Sequence, residues 1–202
     1  MALTKVTGAG VGTVNNLIIA DAGNIGSASD TDAIAISSGG VVTLSQSSQR
    51  AQTFVLQADE AGDGAAQTLS NFAEQSGDYT RVGSAIFSHS SGVFSCSTTG
   101  TYLCLLQFFL NGGGATDMFS ISLEISSNSG SDFTGRAVVR DKVDNGYMVS
   151  SHAQTIFTVS NTSTFRCRYR VGAENTVETS NTIRGDANQA ETAITFIKLG
   201  VI

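Results

Sequence analysis

Residues 100–110 read GTYLCLLQFFL, the longest apolar run in the chain and one without a charged residue. As a β-strand, this run sends Tyr102, Cys104, Leu106, Phe108 and Leu110 to one face. Leu103, Leu105 and Phe109 go to the other, where only Gln107 interrupts them. A strand that is apolar on both faces has to be covered on both. One cover is a facing sheet of the same domain. The chain contains no long amphipathic helix to supply the second, so a further copy of the chain is the expected source.

Around this run the pattern keeps a period of two. Residues 118–126 alternate Phe119, Ile121, Leu123 and Ile125 against Ser120, Ser122, Glu124 and Ser126. Residues 164–171, TFRCRYRV, alternate Phe165, Cys167, Tyr169 and Val171 against Arg166, Arg168 and Arg170. Shorter strands are predicted at 52–57, 84–87, 93–96 and 135–140, and a further strand at 153–159. Turn residues separate the strands from residue 81 onward: Ser88 to Gly92, Ser97 to Gly100, Asn111 to Gly114, Asp144 to Gly146 and Asn161 to Ser163. The last stretch, 191–202, is again apolar on both faces. It is predicted to lie in mid-sheet beside 102–110.

Residues 1–49 differ. Their only charges are Lys5, Asp21, Asp30 and Asp32, and they hold no aromatic residue. Apolar clusters recur at Leu17 to Ile19, Ile25, Ile34 with Ile36, and Val41 to Leu44, with turn residues between. Each cluster is too small to bury itself, so the segment is expected to be short-stranded and intertwined among copies. The domain reading is therefore 1–49 as an N-terminal fibre or anchor segment and 50–202 as a β-domain. Within the latter, 50–80 supplies a leading strand and an acidic loop.

Composition narrows the functions. The chain has 202 residues, 22 Gly, no Pro, and few Lys, Arg and Glu, which favours an all-β protein. A net charge of -6 argues against non-specific nucleic-acid binding by the chain as a whole. Neither a signal peptide nor a membrane span is expected. Cys96, Cys104 and Cys167 lack metal-ligand spacing and read as buried free thiols. Asp59, Glu60 and Asp63 read as a solvated acidic loop rather than a cation site. His89 and His152 sit in no motif with a nucleophile or paired carboxylates, and no catalytic residue, cofactor or metal is expected. The arginine stripe, Arg166, Arg168 and Arg170, is the candidate anion-binding feature. Tyr147 and Tyr79 are the candidate exposed sugar platforms.

The residues also carry a resemblance. GVFSCSTTGTYLCLLQFF at 92–109 resembles the F-x-x-x-x-x-G-x-Y signature of the complement globular-head and tumour-necrosis-factor-like jelly rolls, with Phe94, Gly100 and Tyr102 on the pattern. Residues 153–159 and 164–169 look like that family's later hairpin, and 195–199 like its closing strand. The likeness spans about 81–202. It implies an antiparallel jelly-roll sandwich that forms a homotrimer about the aromatic-rich strand. On this reading Tyr102, Cys104, Leu106, Phe108 and Phe196 are expected at the trimer interface. IGSASDTDAIAISSGGVVTLS at 25–45 is similar to repeats of bacteriophage tail-fibre and other virion proteins. The two likenesses together imply a non-enzymatic trimeric virion protein exposed on the particle: a tail fibre or appendage with a head that binds a host-surface glycan. Its partners would be other virion proteins. The alternatives are a capsid decoration trimer anchored through residues 1–49 and a secreted glycan-binding module.

Overall fold

This computed structural model describes residues 24–25, 34–36, 42–44, 50–62, 66–74, 81–113, 117–173 and 181–200, and among them every regular element is a β-strand. The chain divides into two units, residues 1–47 and 48–202. In the first unit, β1 (Asn24–Ile25), β2 (Ile34–Ile36) and β3 (Val42–Leu44) form an antiparallel sheet in that order. Ile34 stands opposite both Ile25 and Leu44, so three of the apolar clusters share one row. The cluster at 17–19, Asp63 and Tyr79 lie outside the described residues.

The second unit is a sandwich. Its strands are β4 (Arg50–Leu56), β5 (Ala58–Ala61), β6 (Gln67–Thr68), β7 (Phe72–Glu74), β8 (Arg81–Val82), β9 (Phe87–Ser90), β10 (Val93–Cys96), β11 (Gly100–Asn111), β12 (Asp117–Ser126), β13 (Thr134–Val143), β14 (Met148–Val159), β15 (Arg166–Ala173), β16 (Thr182–Asp186) and β17 (Ala193–Gly200). One sheet runs β5-β16-β11-β17-β4-β7, with β14 along the other side of β11 and β8 beside β4. The other runs β13-β12-β15-β10-β9, with β6 beside β15. As expected, the closing strand pairs with the central one: Leu103 faces Ile197 and Leu105 faces Thr195. β11 also pairs with β14 along its whole length, from Gly100 opposite Val159 to Asn111 opposite Met148.

The alternating patterns build the interior. Tyr102, Cys104, Leu106 and Phe108 of β11 are 0–1% exposed. They meet Phe119, Ile121 and Leu123 of β12 and Cys167, Tyr169 and Val171 of β15, all buried in the same cluster. At one end, Phe87 stacks on Phe196 with ring centroids 3.8 Å apart, and Phe54 meets Phe94 edge-on at 5.2 Å. The signature residues have separate duties here. Phe94 fills this aromatic cluster. The Tyr102 hydroxyl donates to the Thr98 carbonyl at 2.7 Å. Gly100 has a φ of 148°, and a Cβ there would stand 2.5 Å from the Gly200 carbonyl oxygen, so only glycine fits where β11 meets β17.

Several predicted segments are corrected. The strand expected at 84–87 runs over Phe87–Ser90, inside the expected turn, where β10 pairs with it, and the strand expected at 153–159 begins at Met148, where β11 pairs with it. The short strand at 135–140 extends to Thr134–Val143, because β12 offers it a partner from Ile125 to Asp117. The polar residues Asp141 and Lys142 masked this extension in the sequence. The acidic loop holds β5, which pairs with β16. Asp59 accepts from Arg184 and from the Gly185 N–H, and Glu60 accepts from the Ser70 and Asn71 N–H groups.

A buried amide fastens the start of the β12 sheet to β4. Gln52 is 2% exposed. Its Oε1 accepts the N–H groups of Ile86 at 2.9 Å and Phe87 at 2.8 Å, and its Nε2 donates to the Phe87 carbonyl at 3.1 Å. Gln52→Leu removes these three bonds, and a fourth from Nε2 to Glu74 Oε2 at 3.2 Å, at nearly constant volume. Each buried group left unpaired costs about 1–3 kcal/mol, so the variant is expected to lose at least about 3 kcal/mol in urea denaturation. An unchanged midpoint would show that the clasp is dispensable.

Candidate functional site

Among the described residues, β11 is fully covered on one face only. Its second face presents Leu103, Leu105, Gln107 and Phe109, all half-exposed. The register sets neighbours on both sides. Ile156 of β14 and Ile197 of β17 flank Leu103, Gln154 and Thr195 flank Leu105, and His152 and Ala193 flank Gln107. β4 continues the rows, with Ala51 opposite Ile197 and Thr53 opposite Thr195, where the two hydroxyl oxygens lie 2.9 Å apart. None of these positions carries Asp, Glu, Lys or Arg. Ile156 is 63% exposed, and a shallow depression of about 710 Å³ opens over Leu105, Gln107, His152, Gln154 and Thr195. A four-strand surface without charge, with isoleucine and leucine in its outermost row, is an unusual thing to leave in water.

This placement corrects the expected interface. Tyr102, Cys104, Leu106, Phe108 and Phe196 lie inside the sandwich and have no surface to give to another copy. Both faces of β11 are apolar, so periodicity alone leaves their assignment open. The facing sheet takes the bulkier aromatic side. What remains for a partner is the face of Leu103 and Leu105.

The arginines project from the opposite sheet. Glu124, whose side chain is 12% exposed, accepts Arg168 through Oε2 at 2.6 Å and Arg170 through Oε1 at 3.2 Å. The Arg168 guanidinium also lies over the Phe133 ring, 4.1 Å from its centroid. Arg166 donates to the carbonyls of Phe165 at 2.6 Å and Ser163 at 3.2 Å. The stripe is therefore held in place and partly compensated rather than free. Tyr147 is 70% exposed in the turn between β13 and β14. It belongs to the end of β12 marked by Met118 opposite Lys142, while Arg166 stands opposite Ser126 at the other end. The structure does not bring Tyr147 and Arg166 together. Sequence reading missed the outward pair Arg140 and Lys142 on β13, because the strand predicted over 135–140 stops at Arg140, before Lys142.

The titratable groups of the interior serve packing. Cys104 and Cys167 are fully buried, and burial pushes both thiols well above their ordinary range. The Tyr169 hydroxyl donates to the Gln107 carbonyl at 3.0 Å. His89 packs against Phe94, Phe54 and Phe72, and its Nε2 accepts the Gly92 N–H at 3.0 Å. Burial lowers its pKa below 6.5, against a weaker opposing hydrogen bond to the Phe72 backbone. His152 stands exposed on β14, opposite Gln107. Among the described residues no cluster of His, Cys, Asp and Glu has the arrangement of a metal site.

No protein-family model matches the chain, and no curated protein matches it. Solved structures do. The crystal structure of murine APRIL at pH 5.0 superimposes over 75% of this chain and 99% of its own, with a TM-score of 0.52 and 11% identity. A second structure of murine APRIL, at pH 8.5, covers the same shares with 12% identity and a TM-score of 0.47. At such identity the likeness is one of fold: residues 48–202 form a tumour-necrosis-factor-like jelly roll.

The His89 geometry fixes a pH response. Only neutral imidazole can accept the Gly92 N–H, and the folded pKa lies below 6.5. Stability is thus complete above about pH 6.5 and falls as the pH drops below it, levelling off under the folded pKa. Urea midpoints between about pH 7.5 and 5.5 are expected to decline in the native chain. The decline should be shallower in His89→Gln, and identical pH profiles would remove this role from His89.

Proposed function

We propose that the chain is a non-enzymatic homotrimeric virion protein, a tail fibre or appendage whose jelly-roll head engages the host surface. The trimer is carried by one observation: the uncharged outer face of the β11 sheet, with Leu103, Leu105, Ile156 and Ile197. Burial of apolar surface is the main gain in protein association, and a face free of charge can be buried without desolvating an ion. Packing three such faces about an axis completes the cover that β11 lacks. The jelly-roll family that the head resembles assembles in this way.

The virion assignment rests on residues 25–45, which resemble tail-fibre repeats, and is supported by the shortness of β1 to β3. Strands of two and three residues give little area within one chain and more when copies pair. A binding rather than catalytic role is supported by the histidines. One is committed to a turn and the other stands exposed with no nucleophile bonded to it.

The native protein is expected to sediment at three times 20.9 kDa. Leu105→Asp and Ile156→Asp should sediment as monomers with an unchanged circular-dichroism spectrum. Each buries an unpaired charge at several kcal/mol, and about 3 kcal/mol already weakens assembly roughly 100-fold. A monomeric native protein, or an intact Leu105→Asp trimer, would sink the interface. Gold-labelled antibody on purified particles is expected at the tail, and label spread over the capsid would favour the decoration reading.

A further inference from the structure

The arginine stripe is half of a larger feature. β12 lies between β13 and β15, and the register aligns all three. On their solvent face β13 presents Arg140 and Lys142, and β15 presents Arg166, Arg168 and Arg170. These are five of the eleven Lys and Arg residues of the chain. Against them stand Glu124 on β12, which pairs with Arg168 and Arg170, and Asp144 just past β13, whose Oδ1 lies 3.6 Å from Lys142 Nζ, so the face keeps a positive excess. Between the two basic rows run the small hydroxyl side chains of Ser120, opposite Arg140 and Gly172, and Ser122, opposite Val138 and Arg170. Arg136, at the bulge of β13, is exposed beside them. A chain of net charge -6 has thus gathered nearly half of its cations on a single sheet face.

We infer that this face binds an acidic polysaccharide, with carboxylate or sulfate groups on the guanidinium and ammonium rows and sugar hydroxyls on the serine row between them. The inference rests on the reading of the head as a host-surface binder and names the chemistry of what it binds. Three features select this occupant. Like charges held on one face repel one another, and a polyanion relieves that repulsion while matching the sign of the whole surface. Glu124 and Phe133 fix the Arg168 and Arg170 side chains, so less rotamer freedom is lost when an anion docks on their remaining N–H groups. The face is flat and offers no free aromatic platform, since Phe133 is already covered by Arg168. Single-stranded nucleic acids need such platforms, and duplexes need an element that enters a groove. The face also belongs to the sheet opposite β11, so assembly through the β11 sheet leaves it uncovered and repeats it in every copy.

The test is binding of the full-length protein to immobilised polygalacturonate and dextran sulfate at about 50 mM salt, with neutral dextran and single-stranded DNA alongside. Binding to at least one acidic polysaccharide and not to dextran is expected, with a fall as salt rises to about 200 mM. Arg140→Gln with Lys142→Gln should weaken it by about tenfold or more, whereas Arg81→Gln, on the other sheet, should not change it. Arg166→Gln gives an independent check, should the double variant fold poorly. Absence of binding, equal binding of dextran, or variants that bind like the native chain would overturn the site. DNA binding as tight as the polysaccharides would overturn its assignment to glycans. Sedimentation separates the two proposals: a monomer that binds leaves this face standing without the trimer, and a trimer that does not bind leaves the trimer without this face.

Discussion

The organising constraint is the two-sided burial demand of β11. It is hydrogen-bonded on both flanks, to β14 and to β17, so no backbone group along most of its length is left for solvent. That pairing holds a strand with apolar side chains on both faces in the middle of a sheet. One face anchors the sandwich through Tyr102, Cys104, Leu106 and Phe108. The other aligns Leu103 and Leu105 with isoleucine and threonine on the neighbouring strands. The sandwich is thus both a closed core and an open plate. The two roles cannot be separated by mutation of the backbone partners, because the same hydrogen bonds serve both.

How far the sequence spoke can be judged strand by strand. β12 and β15 were legible, because large apolar and polar residues alternate there without a break, and each lies with its apolar side inward. The place of β17 beside β11 was legible because both are apolar on two faces, and such strands have to sit centrally. The direction of β11 was not. Two apolar faces give periodicity nothing to choose between, and the choice depends on the facing sheet. Gln107 was the one available signal: an amide on an otherwise apolar face marks the side that stays nearer to water. Gln52 was illegible for another reason. Its value lies in backbone groups of Ile86 and Phe87, far along the chain, and no local pattern records a side chain's partner at that distance.

Charge is distributed by sheet. The plate of β11, β14, β17 and β4 is neutral over its central rows, while the outward face of β12, β13 and β15 is basic around a nearly buried Glu124. The carboxylates of Asp59 and Glu60 are spent on Arg184 and on backbone N–H groups, so the acidic excess is partly structural. A molecule arranged in this way has a strong electrostatic asymmetry that its net charge conceals. Reading charge from composition excludes a polyanion partner, whereas reading it face by face does not. The register decides the matter, because it brings β13 and β15 to the two sides of β12.

The same basic residues have a second consequence through the position of β13. It is the last strand of its sheet, and its outer N–H and C=O groups pair with no further strand among the described residues. A free row of this kind is a template on which another chain can extend the sheet, and a long, flat, apolar one invites fibrous aggregation. β13 is long, but a bulge beside Arg136 bends it, and Arg140 and Lys142 place positive charge where an identical strand would have to lie. Copies of the sandwich at high concentration are thereby hindered from joining sheet to sheet. Removal of these charges for any purpose, including the design of a more acidic variant, strips a safeguard from one of the flanks that the sandwich leaves open.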